Sequence, residues 1–181
     1  MPTSSRRSFL RTSASLGSGL TILPSGLLAA GKSPNEKLNL AIIGVGGRGA
    51  SNLKAVEHEN IVALCDVDAQ VLAATAKRFP KAKTYKDWRK CLEQSDIDAV
   101  VCSTTDHTHA FVNIWAMNRG LHVYCEKPLA NSVEEARLVR ETYLKNKDKL
   151  ATQMGTQIHA TDNYRRVVEL IRDGAIGTVK K

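Results

Sequence analysis

The stretch Leu38-Asn-Leu-Ala-Ile-Ile-Gly-Val-Gly-Gly-Arg-Gly49 decides the fold. Its first six residues form a short apolar run bounded by glycines, the pattern of a strand buried on both faces. The glycines that follow are spaced G-x-G-x-x-G, at Gly44, Gly46 and Gly49. Beyond them Ala50, Leu53 and Val56 recur at helical spacing, so the turn opens a helix over about 47–57.

The same unit repeats along the chain. Ile61–Cys65, Ala99–Ser103, Leu121–Cys125 and Ala151–Met154 read as further strands. Between them lie helical tracts. Asp68 is placed to cap one that runs to Phe79 and stops at Pro80. A shorter one spans about 87–94, and another runs to Arg119 and ends at Gly120. Ser132-Val-Glu-Glu135 is a capping box that starts a helix through about Tyr143. Alternating strands and helices with right-handed crossovers give a Rossmann-type α/β fold, a doubly wound parallel sheet covered on both faces. Ligands of such sheets bind beyond the carboxyl ends of the strands, and the polar motifs fall there.

At the first turn each glycine has a physical reason. Gly44 makes the bend, Gly46 admits a pyrophosphate, and Gly49 lets helix and strand pack closely. The helix N-terminus offers free N–H groups and positive potential to phosphates, with Gly47 in the turn and Arg48 adding a cation. Asp66 ends the second strand, 22 positions after Gly44, where a carboxylate accepts from ribose hydroxyls. With Asp68 taking the capping role, Asp66 is left for the ribose, which favours NAD and leaves NADP open.

Composition narrows the partners. The 181 residues carry 26 Lys+Arg against 18 Asp+Glu, a net charge of +8. Half of that excess is Arg6, Arg7, Arg11 and Lys32, with no acid among the first 32 residues. The other 149 residues hold 22 basic and 18 acidic side chains, too balanced a body to expect nucleic acid as partner. No stretch approaches the ~18–20 apolar residues of a membrane span. The first thirty residues combine a cationic start, a moderately apolar middle and small residues at Ala29-Ala30-Gly31. The run Ser5-Arg6-Arg7-Ser8-Phe9-Leu10-Arg11 resembles the twin-arginine export motif, so residues 1–31 read as an export signal, with the export machinery as partner and the periplasm as destination. Cys65, Cys91, Cys102 and Cys125 show no CxxC pair and no metal-type clustering; they read as buried core thiols, and no metal site is expected.

A second set of residues is more specific. Gly44-x-Gly46-x-x-Gly49, Asp66, Asp106-x-x-His109, Glu126-Lys127-Pro128 and Gly155-Thr-Gln157 together resemble the Gfo/Idh/MocA oxidoreductase family over about residues 36–181. The resemblance implies hydride transfer between a secondary alcohol of a sugar or polyol and a nicotinamide. It implies Lys127 as the catalytic residue that meets the reacting hydroxyl. It implies Glu126 as a cofactor-contacting acid, and Pro128 as a proline preceded by a cis bond. Thr104, Asp106 and His109 fall on the loop that lines the cofactor, where the family often has Pro in place of Thr105. Gln157 falls on the nicotinamide side.

By the same resemblance, residues 36–158 form the cofactor-binding domain. Residues 159–181 form a linker helix and the start of a truncated second α/β domain, whose remainder supplies most of the substrate pocket. Homo-oligomerisation of a full-length protein is left open. Three readings follow: the cofactor-binding part of a sugar or polyol dehydrogenase, a non-catalytic dinucleotide-binding module, or an NAD-dependent glycosidase of the same family. For His107, His122 and His159 a surface or helix-cap role is the expectation.

Overall fold

Six strands alternate with helices over the residues that the computed structural model describes, 36–178. They are β1 (Asn39–Ile43), α1 (Gly47–Val56), β2 (Asn60–Cys65), α2 (Ala69–Ala76), β3 (Lys83–Tyr85), α3 (Trp88–Cys91) and β4 (Ala99–Cys102). There follow α4 (Asp106–Asn118), β5 (His122–Glu126), α5 (Val133–Asn146), β6 (Thr152–Gly155), a 3-10 turn (Gln157–Ala160) and α6 (Asp162–Arg172). The export-signal reading lies outside the described residues.

The strands form one parallel sheet in the order β3-β2-β1-β4-β5-β6. The chain leaves β1 toward β2 on one side and later returns to β4 on the other. The crevice between the carboxyl ends of β1 and β4 is therefore the topological switch point, where such sheets bind ligands. Alternate residues of β1 point to opposite faces. Leu40 and Ile42 join Leu53 of α1 and Leu72 of α2 in one core layer. Ala41 and Ile43 join Cys91 of α3, Val112 and Ala116 of α4, and Val139 of α5 in the other.

Local chemistry sets the element ends. Asp68 Oδ1 accepts from the backbone N–H of Gln70 and Val71, the cap expected of it. Gly120, at φ 78°, closes α4. The Ser132 hydroxyl accepts from Glu135 N, while the Glu135 carboxylate reaches Asn131 N instead of Ser132, one residue before the reciprocal bond of a standard capping box. Several element ends differ from the sequence expectation: the short helix covers only Trp88–Cys91, and the helix after Ser132 runs on to Asn146. The helix after Asp68 ends at Ala76, and Phe79 sits in a following turn bonded to Ala76 O. Strand β3 is an addition: three residues with one large apolar side chain carry too little pattern to be seen, and pairing to β2 makes them a strand.

All four cysteines are buried free thiols. A hydrogen bond with Cys91, together with burial, pushes the Cys65 thiol up, as suits a protonated core group. His122 Nδ1 accepts from Ala151 N and His159 stacks on Tyr164, both structural roles.

At Gly44 and Gly49 the first turn leaves no room for a side chain. A Cβ on Gly49 would lie 1.9 Å from the Gly44 carbonyl oxygen, and one on Gly44, at φ 83°, would lie 2.6 Å from the Ser103 carbonyl oxygen. Helix α1 thus crosses β1 with backbone against backbone. Gly49→Ala is expected to destabilise the domain by about 3 kcal/mol, the upper end of overpacking costs. Urea unfolding measures it, and a loss below about 1 kcal/mol would contradict the packing described.

Candidate functional site

Helix α1 begins at the switch point with no side chain on its cap. Gly46 occupies the N-cap position, makes no side-chain cap bond, and no acid stands in the first turn. Its N–H groups and dipole therefore face the crevice, a ready anion site. Gly47 continues the turn at φ 48°. A cleft of about 440 Å³ opens there, bordered by Gly44, Gly46, Arg48, Asp66, Val67 and Thr105. Asp66 Oδ2 accepts from Val45 N at 2.8 Å and Oδ1 from Asp68 N at 3.0 Å. The carboxylate thus pins the glycine turn to the end of β2. Each oxygen keeps acceptor capacity for a hydroxyl in the cleft. Val67 beside it is 85 % exposed and gives the cleft an apolar wall.

A second cleft, of about 370 Å³, adjoins the first across Arg48, Ser103 and Thr104. It is lined by Asp106, His109, Glu126, Lys127 and Gln157, so the fold brings together residues spread over more than fifty positions. Lys127 is exposed and makes no hydrogen bond or ion pair among the described residues. The Lys127–Pro128 peptide bond is cis, as the resemblance implied.

Glu126 is 6 % exposed and anchors this second cleft. Its Oε1 accepts from Gln157 Nε2 at 2.6 Å, Asn52 Nδ2 at 2.8 Å, Arg48 Nε at 3.1 Å and the Tyr124 hydroxyl at 3.3 Å. Burial alone raises its carboxyl pKa, but the bonds from Gln157, Asn52 and Arg48 outweigh it and hold the group down at about 2. Gly155 is needed behind it, since a Cβ there would lie 2.8 Å from Glu126 Oε2. The resemblance implies a cofactor contact for Glu126; in the fold its Oε1 holds Arg48, Asn52 and Gln157, which it orients.

His109 is 1 % exposed. Its Nδ1 lies 2.6 Å from Pro128 O and its Nε2 3.0 Å from Thr104 O. The ring therefore fastens the loop after β4 to the loop after β5, and lines the cleft from beneath. Asp106 sits one helical turn earlier, exposed at the start of α4. Thr105, the N-cap of α4, has φ −73°, within the range a proline ring imposes.

Three contributors escaped the sequence reading. Asn52, buried at 8 %, bonds both Ser103 Oγ and Glu126 Oε1; Ser103 and Tyr124 complete the network. The signal for Asn52 was available: it is an amide beside Leu53 on the inward face of α1, where an apolar residue is the norm. A second grouping was hidden altogether. Cys102 and Cys125 are register partners on β4 and β5, and their sulfurs and a His109 ring nitrogen all lie within 4.8 Å of one another. The absence of metal-type clustering in the sequence therefore does not hold in the fold.

Residues 38–154 match the oxidoreductase family model described as GFO_IDH_MocA, NAD-binding Rossmann fold. The inositol 2-dehydrogenase of Salmonella typhimurium is 31 % identical over 145 residues, 77 % of this chain and 43 % of the relative. A glycosyl hydrolase family 109 protein of Saccharopolyspora erythraea is 32 % identical over 203 residues, 97 % of this chain and 44 % of the relative. Among solved structures, myo-inositol 2-dehydrogenase from Lactobacillus plantarum aligns with TM-score 0.73 and 26 % identity over 80 % of this chain and 43 % of that one. The chain spans less than half the length of the relatives it matches.

The Glu126 network has a pH signature. Its carboxyl has an ordinary value of 4.5 and sits near 2 when folded, so the stabilisation is complete above 4.5 and is lost as pH falls toward 2. The loss is on the order of 3 kcal/mol. Urea unfolding across pH 2–7 is expected to show a shallower acid limb for Glu126→Gln than for the parent. Parallel limbs would refute the assignment.

Over residues 38–154 the chain therefore belongs to the Gfo/Idh/MocA oxidoreductase family, as its NAD-binding Rossmann part.

Proposed function

We propose that this chain is the cofactor-binding part of an NAD-dependent dehydrogenase acting on a secondary alcohol of a sugar or polyol. The observation that carries the reading is the placement of Lys127. It stands exposed over a cleft that continues into the crevice at the N-terminus of α1, and its amine has no partner among the described residues. Support for the substrate class comes from the inositol 2-dehydrogenase relatives and from the levoglucosan dehydrogenase of Pseudarthrobacter phenanthrenivorans, 32 % identical over 122 residues.

The α1 N-terminus and Gly46 would hold the pyrophosphate, and Asp66 the adenosine ribose, with Val67 as an apolar wall for the base. Lys86, in the same cleft, is the cation that a 2′-phosphate would call on, so NADP is tested alongside NAD. Thr104, Asp106 and Gln157 border the nicotinamide end. The nicotinamide, when bound, supplies the carbon that exchanges hydride with the alcohol. Lys127 meets the reacting hydroxyl and takes its proton as the alcohol is oxidised. Glu126 holds Arg48 and Gln157 in place from below, and His109 holds the loop that carries Lys127. We further assign residues 36–158 to this domain and 159–181 to the passage into a second domain. Homo-oligomerisation of a full-length protein is part of the same proposal.

A second reading has its own support in the family 109 glycosyl hydrolase relative, whose match covers 97 % of the chain. In that case the same site would oxidise a glycoside transiently and regenerate its cofactor.

Titration with NAD and NADP, then a reductase assay on a panel of inositols, sugars and glycosides, separates the readings. NAD is expected to bind more tightly than NADP. Lys127→Ala is expected to keep NAD affinity within a few-fold and to cut turnover by about 10²–10⁴-fold. Glycoside release without net cofactor reduction would favour the glycosidase. Assayed in a protein that carries the second domain as well, binding without turnover of any substrate would leave a cofactor-binding module.

We also propose export by the twin-arginine route to the periplasm, on Arg6-Arg7 followed by Phe9-Leu10. Fused to a reporter that is active only after export, residues 1–35 are expected to deliver it, and Arg6→Lys with Arg7→Lys to abolish delivery. Unchanged delivery by the double variant would remove this address.

A further inference from the structure

The side-chain amide of Gln157 has only one workable orientation. Its nitrogen donates to Glu126 Oε1 at 2.6 Å and to the Tyr124 hydroxyl at 3.2 Å. Reversed, the amide would set its carbonyl oxygen against a carboxylate oxygen, two acceptors with no proton between them. Glu126 stays ionised at neutral pH, because the bonds from Gln157, Asn52 and Arg48 hold its carboxyl at about 2. Tyr124 does not relax the constraint. Its hydroxyl proton goes to Glu126 Oε1 at 3.3 Å, which leaves its oxygen to accept from Gln157. Both N–H groups of the Gln157 amide are thus spent, and the carbonyl oxygen Oε1 is the end left over.

That end is open. Gln157 is half-buried and lines the Lys127 cleft. Its Oε1 makes no hydrogen bond among the described residues, and the enclosed side-chain polar atoms that lack a partner there are those of Asn113. The Gln157 oxygen is therefore reachable from the cleft. The backbone beneath it is tied down, with Thr156 N donating to Met154 O and His159 N to Thr156 O. Gly155 lets the partners close in, since a Cβ there would lie 2.7 Å from the Tyr124 hydroxyl oxygen. The result is a neutral acceptor of fixed polarity and fixed position.

Polarity selects what it meets. A hydroxyl turns its proton to suit either a donor or an acceptor, so it does not call for a sorted amide. An amide N–H does, because its donor and acceptor ends cannot exchange without rotating the whole group. At the reacting end of NAD the group with N–H donors is the carboxamide of the nicotinamide.

We propose that Gln157 Oε1 accepts from the carboxamide N–H of the nicotinamide, with Glu126 and Tyr124 as positioning residues that keep this acceptor turned to the cleft. The assignment rests on the NAD-dependent dehydrogenase reading of the site and adds a specificity-determining role to it. A carboxamide held at one edge fixes the rotation of the ring, and with it the face that the ring presents to a substrate.

The test is equilibrium titration of the 181-residue chain with three ligands. They are NAD, its 3-acetylpyridine analogue, in which a methyl ketone replaces the carboxamide and no N–H remains, and ADP-ribose, which lacks the ring. The unaltered chain is expected to bind NAD at least about fivefold more tightly than the analogue, the worth of one hydrogen bond with a partner left unmade. Gln157→Met keeps the length of the side chain and removes the acceptor. It is expected to bring that ratio below about twofold by weakening NAD and not the analogue, with ADP-ribose as the control for the other half of the cleft. Glu126→Gln is expected to lower the ratio as well, since a neutral amide at 126 no longer dictates which end of Gln157 faces it. A merely structural role for Glu126 would weaken NAD and the analogue alike. A ratio below about twofold in the unaltered chain, which needs no variant to fold, would overturn the assignment and leave the cofactor reading intact. So would a ratio that survives in Gln157→Met. Failure of the unaltered chain to bind NAD at all would overturn both.

Discussion

One carboxylate oxygen, Oε1 of Glu126, receives donors from α1, from β5 and from the turn after β6. The sheet order places these segments around the switch point but does not by itself fix their side chains. Arg48 and Asn52 belong to the helix that presents free N–H groups to the crevice. Tyr124 and Glu126 belong to the strand that delivers Lys127. Gln157 follows the edge strand. A buried charge with so many donors tolerates little displacement, because each lost bond exposes the desolvation cost that the others offset. The two clefts are therefore held in register by one ion.

Backbone crowding makes that register reachable. Gly49 passes the Gly44 carbonyl with no space for a methyl group, and Gly155 leaves room for the Glu126 carboxylate. These glycines stand at opposite ends of the site, one under the first turn and one beside the edge strand. The first was readable from its spacing after a strand. The second stood out only as part of the Gly155-Thr-Gln157 run, and its physical reason was hidden, because its neighbour is Glu126, 29 positions away in sequence and adjacent only through strand pairing.

The same distinction governs what the amino-acid order disclosed more widely. Buried strands and their glycine turn are local patterns, so β1, β2, β4 and β5 were legible, as were the Asp68 cap and the Gly120 stop. Strand β3 was not, since its conformation comes from pairing to β2 and not from its own three side chains. Asp66 was legible as an acid at a strand end. Its bond to Val45 N, which couples it to the glycine turn, depends on β1 lying beside β2. Cys102 and Cys125 read as separate thiols until the register of β4 and β5 set them side by side.

Burial divides the labour within the second cleft. Asn52, His109 and Glu126 are almost fully enclosed, and Asn52 Nδ2, both His109 ring nitrogens and Glu126 Oε1 are spent on the protein. Such groups cannot also meet a changing substrate without losing what they hold. Lys127 is the reverse case: exposed, unpartnered among the described residues, and carried on a loop whose far side His109 secures. A group that exchanges a proton must be free at its tip and fixed at its base. The structure meets both conditions with different residues, so the position proposed to react is the one that looks least engaged.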